Sequence, residues 1–280
     1  MKKLPLLVFF LILMLLPGCI PVPADADFTT TSPNYIEDVN GELIPAFKTV
    51  DASVLDPKLF SRDAKGRMVY SDASVSLLHG IDVSVFQGDI DWNRVRSDGI
   101  DFAFIRVGGR GYGPNGVMFE DEKFYENCQN ACNAGLDVGV YFFSQAITVE
   151  EAVEEAEFVL NAVKEFPITL PIVFDWETMD FSGARTEGIR GEQVTRFASA
   201  FCDTVLNAGY EPMVYMNREF GYFIYDLEDV NRYNIWLAEY SEIPTFYYNY
   251  KVWQYDKNGI VDGIDGIVDM NVALPDLVNG

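Results

Sequence analysis

A single histidine, His79, stands in 280 residues, and no Cys/His cluster accompanies it, so a zinc site of familiar donor spacing has nothing to be built from. No metal and no cofactor is expected. Cysteine is nearly as scarce. Cys19 follows an apolar leader, and the remaining three, Cys128, Cys132 and Cys202, are odd in number and sit inside helix-like patterns, which reads as buried thiols and not as a disulfide framework. Cations are the third shortage: Lys and Arg total 20 against 43 Asp and Glu, a formal charge of -23. Such a chain is repelled by nucleic acid and by anionic headgroups, which excludes nucleic-acid binding and attachment through a basic patch. Apolar residues are not lacking. At 49% hydrophobic and 14% aromatic the chain can bury a large core, which excludes a disordered polymer.

The N-terminus carries Lys2 and Lys3 ahead of "LPLLVFFLILMLLP". That run is short for a bilayer span but has the length of a signal-peptide core, so residues 1–18 are expected to be an export signal. "LPGC" at its end resembles the bacterial lipoprotein signal, which would make Cys19 the lipidated mature N-terminus and the acyl chain the membrane anchor. Pro17 departs from the small or branched residue usual there, and "ADA" at 24–26 offers an ordinary cleavage site that would release a soluble form. Residues 19–78 show no sustained period of 2.0 or 3.6 and are punctuated by Pro, Asn and Gly. They read as a spacer, with a hairpin that packs on the main domain as an option.

From His79 the pattern becomes regular. Apolar, β-branched or aromatic runs recur at 80–86, 101–108, 137–144, 171–177, 211–217, 234–240, 250–256 and 266–272. Helical segments separate the first five: one capped by Asp91, one ending at Gly135, one opening on Thr148 with Glu151 three residues on, and one stopping at Gly209. This alternation predicts a parallel sheet with helices outside, and eight strands predict a closed barrel. The last three linkers are too short for long helices. The expected fold is therefore α/β, an irregular TIM-like (β/α)5(β)3 barrel over residues 79–280.

In such barrels the chemistry gathers at the C-terminal ends of the strands. "PIVFDWE", residues 171–177, ends the fourth strand in Asp175 and Glu177. At period two they share a side, with Trp176 turned toward the helix layer. Two close carboxyls should push their pKa values apart, leaving one protonated and one ionised, as glycosidic cleavage requires. Asp82 on the first strand and Asp269 on the last would join them, because the first and last strands of a closed barrel are neighbours. Taken singly, each of these acids has a blander reading: a rim Asp, a helix cap, or a partner for an arginine such as Arg185.

The segments "HGIDVSVFQGDIDWNRVRSDGIDFAFIRVG", "AGLDVGVYFFSQA", "LPIVFDWE", "PMVYMN", "IWLAEY", "VWQYD" and "GIVDMNV" resemble, in order and spacing, the family 25 glycoside hydrolases, the Chalaropsis-type lysozymes. The resemblance implies cleavage of the β-1,4 bond between N-acetylmuramic acid and N-acetylglucosamine in peptidoglycan. It implies Glu177 as general acid, Asp175 as its partner, and Asp82 and Asp269 as further active-site aspartates. Whether Asp175 orients the substrate's 2-acetamido group or acts as nucleophile or base stays open. One departure is visible: Tyr141-Phe142-Phe143 stands where many members read Tyr-His-Phe.

Tyr141, Tyr215, Trp236 and Trp253 fall near strand ends as candidate sugar platforms. Asn217 and Gln254 are candidates for bonds to hydroxyl or acetamido groups, and Arg106 for a salt bridge to Asp82 or Asp175. His79 reads as a strand-start residue, and "EEAVEEAEF" as a solvated helix face. The expected partner is a glycan strand of the wall, met by an exported monomer. The competing reading is a non-catalytic barrel that only binds wall glycan. A chitin-directed hydrolase would need a D-x-x-D-x-D-x-E signature that the fourth strand lacks.

Overall fold

The computed structural model describes residues 34–179 and 181–277. The expected signal segment 1–18, Cys19 and the small-residue site at 24–26 lie outside them. The described chain opens with two hairpins, β1 (Tyr35–Glu37) with β2 (Leu43–Pro45) and β3 (Phe60–Arg62) with β4 (Met68–Tyr70). There follow β5 (Leu78–Val83), α1 (Trp92–Ser97), β6 (Phe102–Arg110), β7 (Met118–Glu120), α2 (Phe124–Asn133), β8 (Asp137–Ser144), α3 (Val149–Val163) and β9 (Ile172–Trp176). The chain continues through α4 (Gly191–Asn207), β10 (Pro212–Asn217), α5 (Arg218–Phe223), α6 (Leu227–Val230), β11 (Asn234–Ala238), β12 (Val252–Gly259) and β13 (Val268–Ala273).

Local chemistry sets the helix ends. Asp91 caps α1 through Arg94 N, and Thr148 caps α3 through Glu151 N. Beyond α2 and α4, Gly135 and Gly209 take φ of 79° and 87°, the left-handed turn that a Cβ would strain, and hand the chain to β8 and β10.

Eight strands close into the barrel in the order β5, β13, β12, β11, β10, β9, β8, β6, with β6 returning to β5. Every segment expected to be a barrel strand overlaps one. The seven barrel strands from β5 to β12 run parallel, as the early alternation predicts, and β13 is antiparallel to both β12 and β5. The reason is length: residues 260–267 make a hairpin connection, far shorter than the dozen or more residues a parallel crossover needs.

Period-two alternation divides the strands into two surfaces. Phe102, Phe104, Val173, Met213, Trp236, Val252 and Ala273 point inward and plug the barrel. Ile105, Phe142, Phe174, Trp176, Leu237 and Trp253 point outward to the helices and hairpins. The plug is aromatic because Gly80 and Gly139 make room: a Cβ would lie 2.2 Å from the Phe102 ring or 2.4 Å from that of Phe104. Phe104 in turn stacks on Trp236, ring centres 4.6 Å apart. Cys128 and Cys202 are buried and Cys132 half-buried, all as free thiols.

Residues 34–78 are folded against the barrel. Ile44, Val50, Leu55, Phe60 and Met68 are buried in the outer core. Phe60 meets Trp253 edge-on at 5.1 Å, Tyr248 Oη donates to Pro45 O at 2.7 Å, and Arg62 reaches Asp256 at 2.9 Å. With so much apolar area shared, Phe60→Ala is expected to lower unfolding free energy by about 3–5 kcal/mol. Urea unfolding would check this, and a loss under about 1 kcal/mol would mean the hairpins are peripheral to the fold.

Candidate active site

The closing of β13 on β5 builds the first half of the site. Their register sets Asp269 opposite Asp82. Because β13 is antiparallel, its beginning, and not its end, lies at the rim where β5 finishes, so an acid on the second residue of β13 joins one near the end of β5. Asp82 is buried, and its Oδ2 accepts hydrogen bonds from Gln254 Nε2 at 2.7 Å and Asn271 Nδ2 at 2.8 Å. Asn271 Oδ1 accepts from Trp236 Nε1 at 2.8 Å, and Gln254 Oε1 accepts from Tyr215 Oη and Tyr240 Oη, both at 2.9 Å. Asp82 is thus fixed by two amides that are themselves fixed by the barrel plug and two phenols.

The second half comes from β9. Asp175 is its last inward residue, buried, and Glu177 stands just beyond at the mouth, open to solvent. Trp176 between them faces outward, donating Nε1–H to Ala146 O at 2.9 Å. Gln145 Nε2 donates to the Glu177 carbonyl at 2.6 Å, which ties the end of β8 to the peptide that carries the acid. Asp175 Oδ1 is buried without a hydrogen-bond partner in the protein. A buried acceptor left unpaired calls for a partner, and a ligand N–H would supply one.

These four carboxyls cannot all ionise. Burial drives the Asp175 carboxyl well above the usual range, the charges of Glu177 and Asp82 add to this, and Arg106 opposes it. Asp269 is pushed up to about 8 by burial and then by the charge of Asp82. Asp82 rises only to about 6, because the amide hydrogen bonds of Asn271 and Gln254 favour its ionised form against burial. Glu177 reaches solvent, yet enough protein surrounds it that lost hydration raises its pKa, with Asp82 adding. The two amides thus favour the anion at Asp82, while burial and neighbouring charge favour the proton at Asp175 and Asp269. No cluster of His, Cys, Asp and Glu suited to a metal ion occurs among the described residues, and no helix there is long and apolar enough to cross a membrane.

The other residues singled out in the sequence fare unevenly. Tyr141 and Tyr215 line the cleft above Trp236, whose ring meets theirs at 6.1 and 5.0 Å. Trp236 itself is buried beneath them as floor and presents no face to a ligand. Trp253 is not a sugar platform here: it faces outward, fully buried against Phe60 and Tyr255, with Nε1–H on Glu239 O. Neighbours on a strand take opposite faces, so Gln254 points inward because Trp253 does not. Gln254 spends its amide on Asp82 and the two phenols, and so orients the acid instead of offering a free group. Asn217 caps α5, accepting from Phe220 N at 2.8 Å.

Arg106 pairs with Asp121 at 2.6 Å and not with Asp82 or Asp175; its charge acts on Asp175 from there, and its guanidinium lies 5.0 Å from the centre of the Phe86 ring. Phe142, at the departure from Tyr-His-Phe, is buried on the outer face against Phe158. His79 sits on the outer face at the far end of β5. Sequence reading missed Asn271, Tyr240, Asp121 and Gln145. The alternation signals the first two: Asn271 is two residues after Asp269, and Tyr240 follows Trp236 and Ala238 at period two.

The model of the glycosyl hydrolases family 25 matches residues 81–264, which include Asp82, Asp175 and Glu177, while Asp269 lies beyond. The autolytic lysozyme of Clostridium acetobutylicum is 27% identical over 195 residues, covering 69% of this chain and 55% of that protein. Lysozyme M1 of Streptomyces globisporus is 28% identical over 214 residues, covering 71% and 68%. The modular autolysin LytC from Streptococcus pneumoniae, solved with a synthetic peptidoglycan ligand, shares the fold at a TM-score of 0.64 and 23% identity, over 85% of this chain and 56% of that one. The chain thus spans little more than half the length of the clostridial lysozyme and of LytC.

The acid cluster makes a stability prediction. A carboxyl whose folded pKa exceeds its unfolded value binds an extra proton when folded, so stability falls as pH rises from the unfolded value near 4 toward the folded value. For Asp269 that window runs up to about 8. Asp269→Asn is therefore expected to stabilise the protein on the order of 2 kcal/mol at pH 8 and negligibly at pH 3. Paired urea titrations at the two pH values would test it, and an equal effect at both would argue against a proton held at Asp269.

Proposed function

The chain belongs to glycosyl hydrolases family 25, and from that premise we propose that it hydrolyses peptidoglycan at the β-1,4 bond from N-acetylmuramic acid to N-acetylglucosamine. The observation that carries this reading is the placing of Asp175 and Glu177, from one strand, across an open barrel mouth from the paired Asp82 and Asp269, with proton affinities spread by their surroundings. A site that only bound glycan would have no use for protons held on carboxyls at neutral pH.

Glu177, protonated and at the solvent-facing rim, gives its proton to the leaving glycosidic oxygen as the C1–O bond breaks. The substrate's own 2-acetamido oxygen then bonds to C1, and Asp175 accepts the acetamido N–H through the unpartnered Oδ1. Glu177, now ionised, takes a proton from the water that opens the resulting ring at C1. Asp82, the anion at the base of the cleft, stabilises the positive charge that develops there. Tyr141 and Tyr215 face the reacting sugar above the Trp236 floor. The protein acts as an exported monomer on glycan strands of the wall, held at the cell surface when Cys19 is lipidated.

The test is digestion of purified peptidoglycan by the full chain and by its Glu177→Gln variant, with borohydride reduction and mass spectrometry of the new ends. Cutting the chain near residue 72 would strip the hairpins from Trp253, so the whole protein is required. Muramitol ends are expected, with the variant slowed about 10²–10⁴-fold while its Tm stays within a few degrees. Glucosaminitol ends would reassign the bond cleaved, and no ends from a folded protein would leave the barrel as a glycan-binding module. Activity of the unaltered chain should fall on the alkaline side as Glu177 loses its proton, and a rate that keeps rising with pH would remove Glu177 as the acid.

A further inference from the structure

Lys257 is one of the few cations of this chain without an ion pair among the described residues. Most Lys and Arg side chains among the described residues are ion-paired, as a net charge of -23 makes easy. Lys257, exposed where β12 projects past the barrel wall, has no carboxylate within ion-pair distance among the described residues, and its neighbour Asp256 is taken by Arg62 at 2.9 Å. Its ammonium instead lies 5.5 Å from the centre of the Tyr240 ring. Such a contact at an exposed site is weak and readily exchanged.

Tyr240 is held as a ligand platform would be. Half of it is exposed, while its Oη is pinned to Gln254 Oε1 at 2.9 Å, and Gln254 in turn holds Asp82. The exposed ring is therefore fixed in orientation against the acid cluster. The charge of Lys257 is also felt at that cluster, where it opposes the upward shift of Asp269. An amphipathic ring and an exposed ammonium without an ion pair thus share the β11–β12 wall of the cleft. A fixed aromatic face suits the C–H face of a sugar. An ammonium beside it suits a carboxylate, which the field of this chain would otherwise repel.

N-acetylmuramic acid differs from N-acetylglucosamine by a lactyl ether, whose carboxyl is free or amide-linked to a peptide that carries carboxylates of its own. Resting on the peptidoglycan reading above, we propose that Tyr240 and Lys257 form a subsite for a muramoyl residue, the ring packing on the sugar and the ammonium leaving the ring to pair with a lactyl or stem-peptide carboxylate.

The test uses the full chain carrying Glu177→Gln, so that ligands survive, with and without Lys257→Gln or Lys257→Arg. Binding is measured at low and high salt to three glycans: chitotetraose, a peptide-free chain of alternating N-acetylglucosamine and N-acetylmuramic acid, and the same chain bearing stem peptides. Lys257→Gln is expected to weaken muramoyl binding roughly 3- to 10-fold at low salt, less at high salt, while chitotetraose is unaffected and Lys257→Arg restores affinity. Loss on the peptide-free chain identifies the lactyl carboxylate, and loss only on the peptide-bearing chain the stem peptide. Equal weakening of all three glycans would mean that Lys257 acts through Asp269, and no weakening of any would mean it contacts no ligand; either overturns the subsite. The reducing-end digest of the unaltered chain judges the parent reading separately, since muramitol ends with an indifferent Lys257→Gln would remove the subsite alone.

Discussion

The antiparallel pairing of β13 with β5 is the constraint on which the rest of the site depends. It closes the barrel, and in the same stroke its register brings Asp269 opposite Asp82 and carries Asn271 to the bottom of the cleft. A shift of β13 by one residue would turn Asp269 and Asn271 outward and leave Asp82 alone, because side chains alternate across a strand. The short connection that makes β13 antiparallel therefore has a chemical result. It lets the first residues of one strand meet the last residues of another, so that a cleft otherwise assembled from strand ends gains an acid from a strand beginning.

The floor beneath the acids is as important as the acids. Phe102 and Phe104 fill the barrel because two glycines leave space for their rings, and Trp236 sits on Phe104. That floor is apolar except for one indole N–H, which fixes Asn271, which in turn donates to Asp82. Gln254 does the same from the other side with two tyrosine hydroxyls behind it. An ionised aspartate deep in a barrel is costly unless hydrogen-bonded. Here two amides supply that compensation and leave Asp175, which has none, as the buried carboxyl that keeps its proton. The division of roles among chemically equal side chains follows from which of them the amides reach.

Outside the barrel the hairpins of residues 34–78 cover the wall that Trp253 and Tyr255 present on their outer face. Strands β11 to β13 lack the long helices that shield the first half of the barrel, and these hairpins stand in their place over β12. The segment is polar in composition and poor in period, because each strand is only three residues long and buries at most one side chain. Apolar residues so widely spaced leave no periodic trace in the sequence even when each is buried.

The eight barrel strands, the four helices between the first five and the family were legible from sequence alone, because local periodicity, caps and glycine stops are written over consecutive residues. The same local rule made Asp175 and Glu177 a pair and would have told Trp253 from Gln254, since neighbours on a strand cannot face the same way. Tertiary structure decided what depends on partners distant in the chain. Arg106 goes to Asp121, Asn217 to its own helix and Gln254 to Asp82, and each choice is a competition among hydrogen-bonding groups that only the folded geometry ranks. The spread of proton affinities was decided there too, for burial and neighbouring charge are properties of a place in the fold and not of a residue in a string.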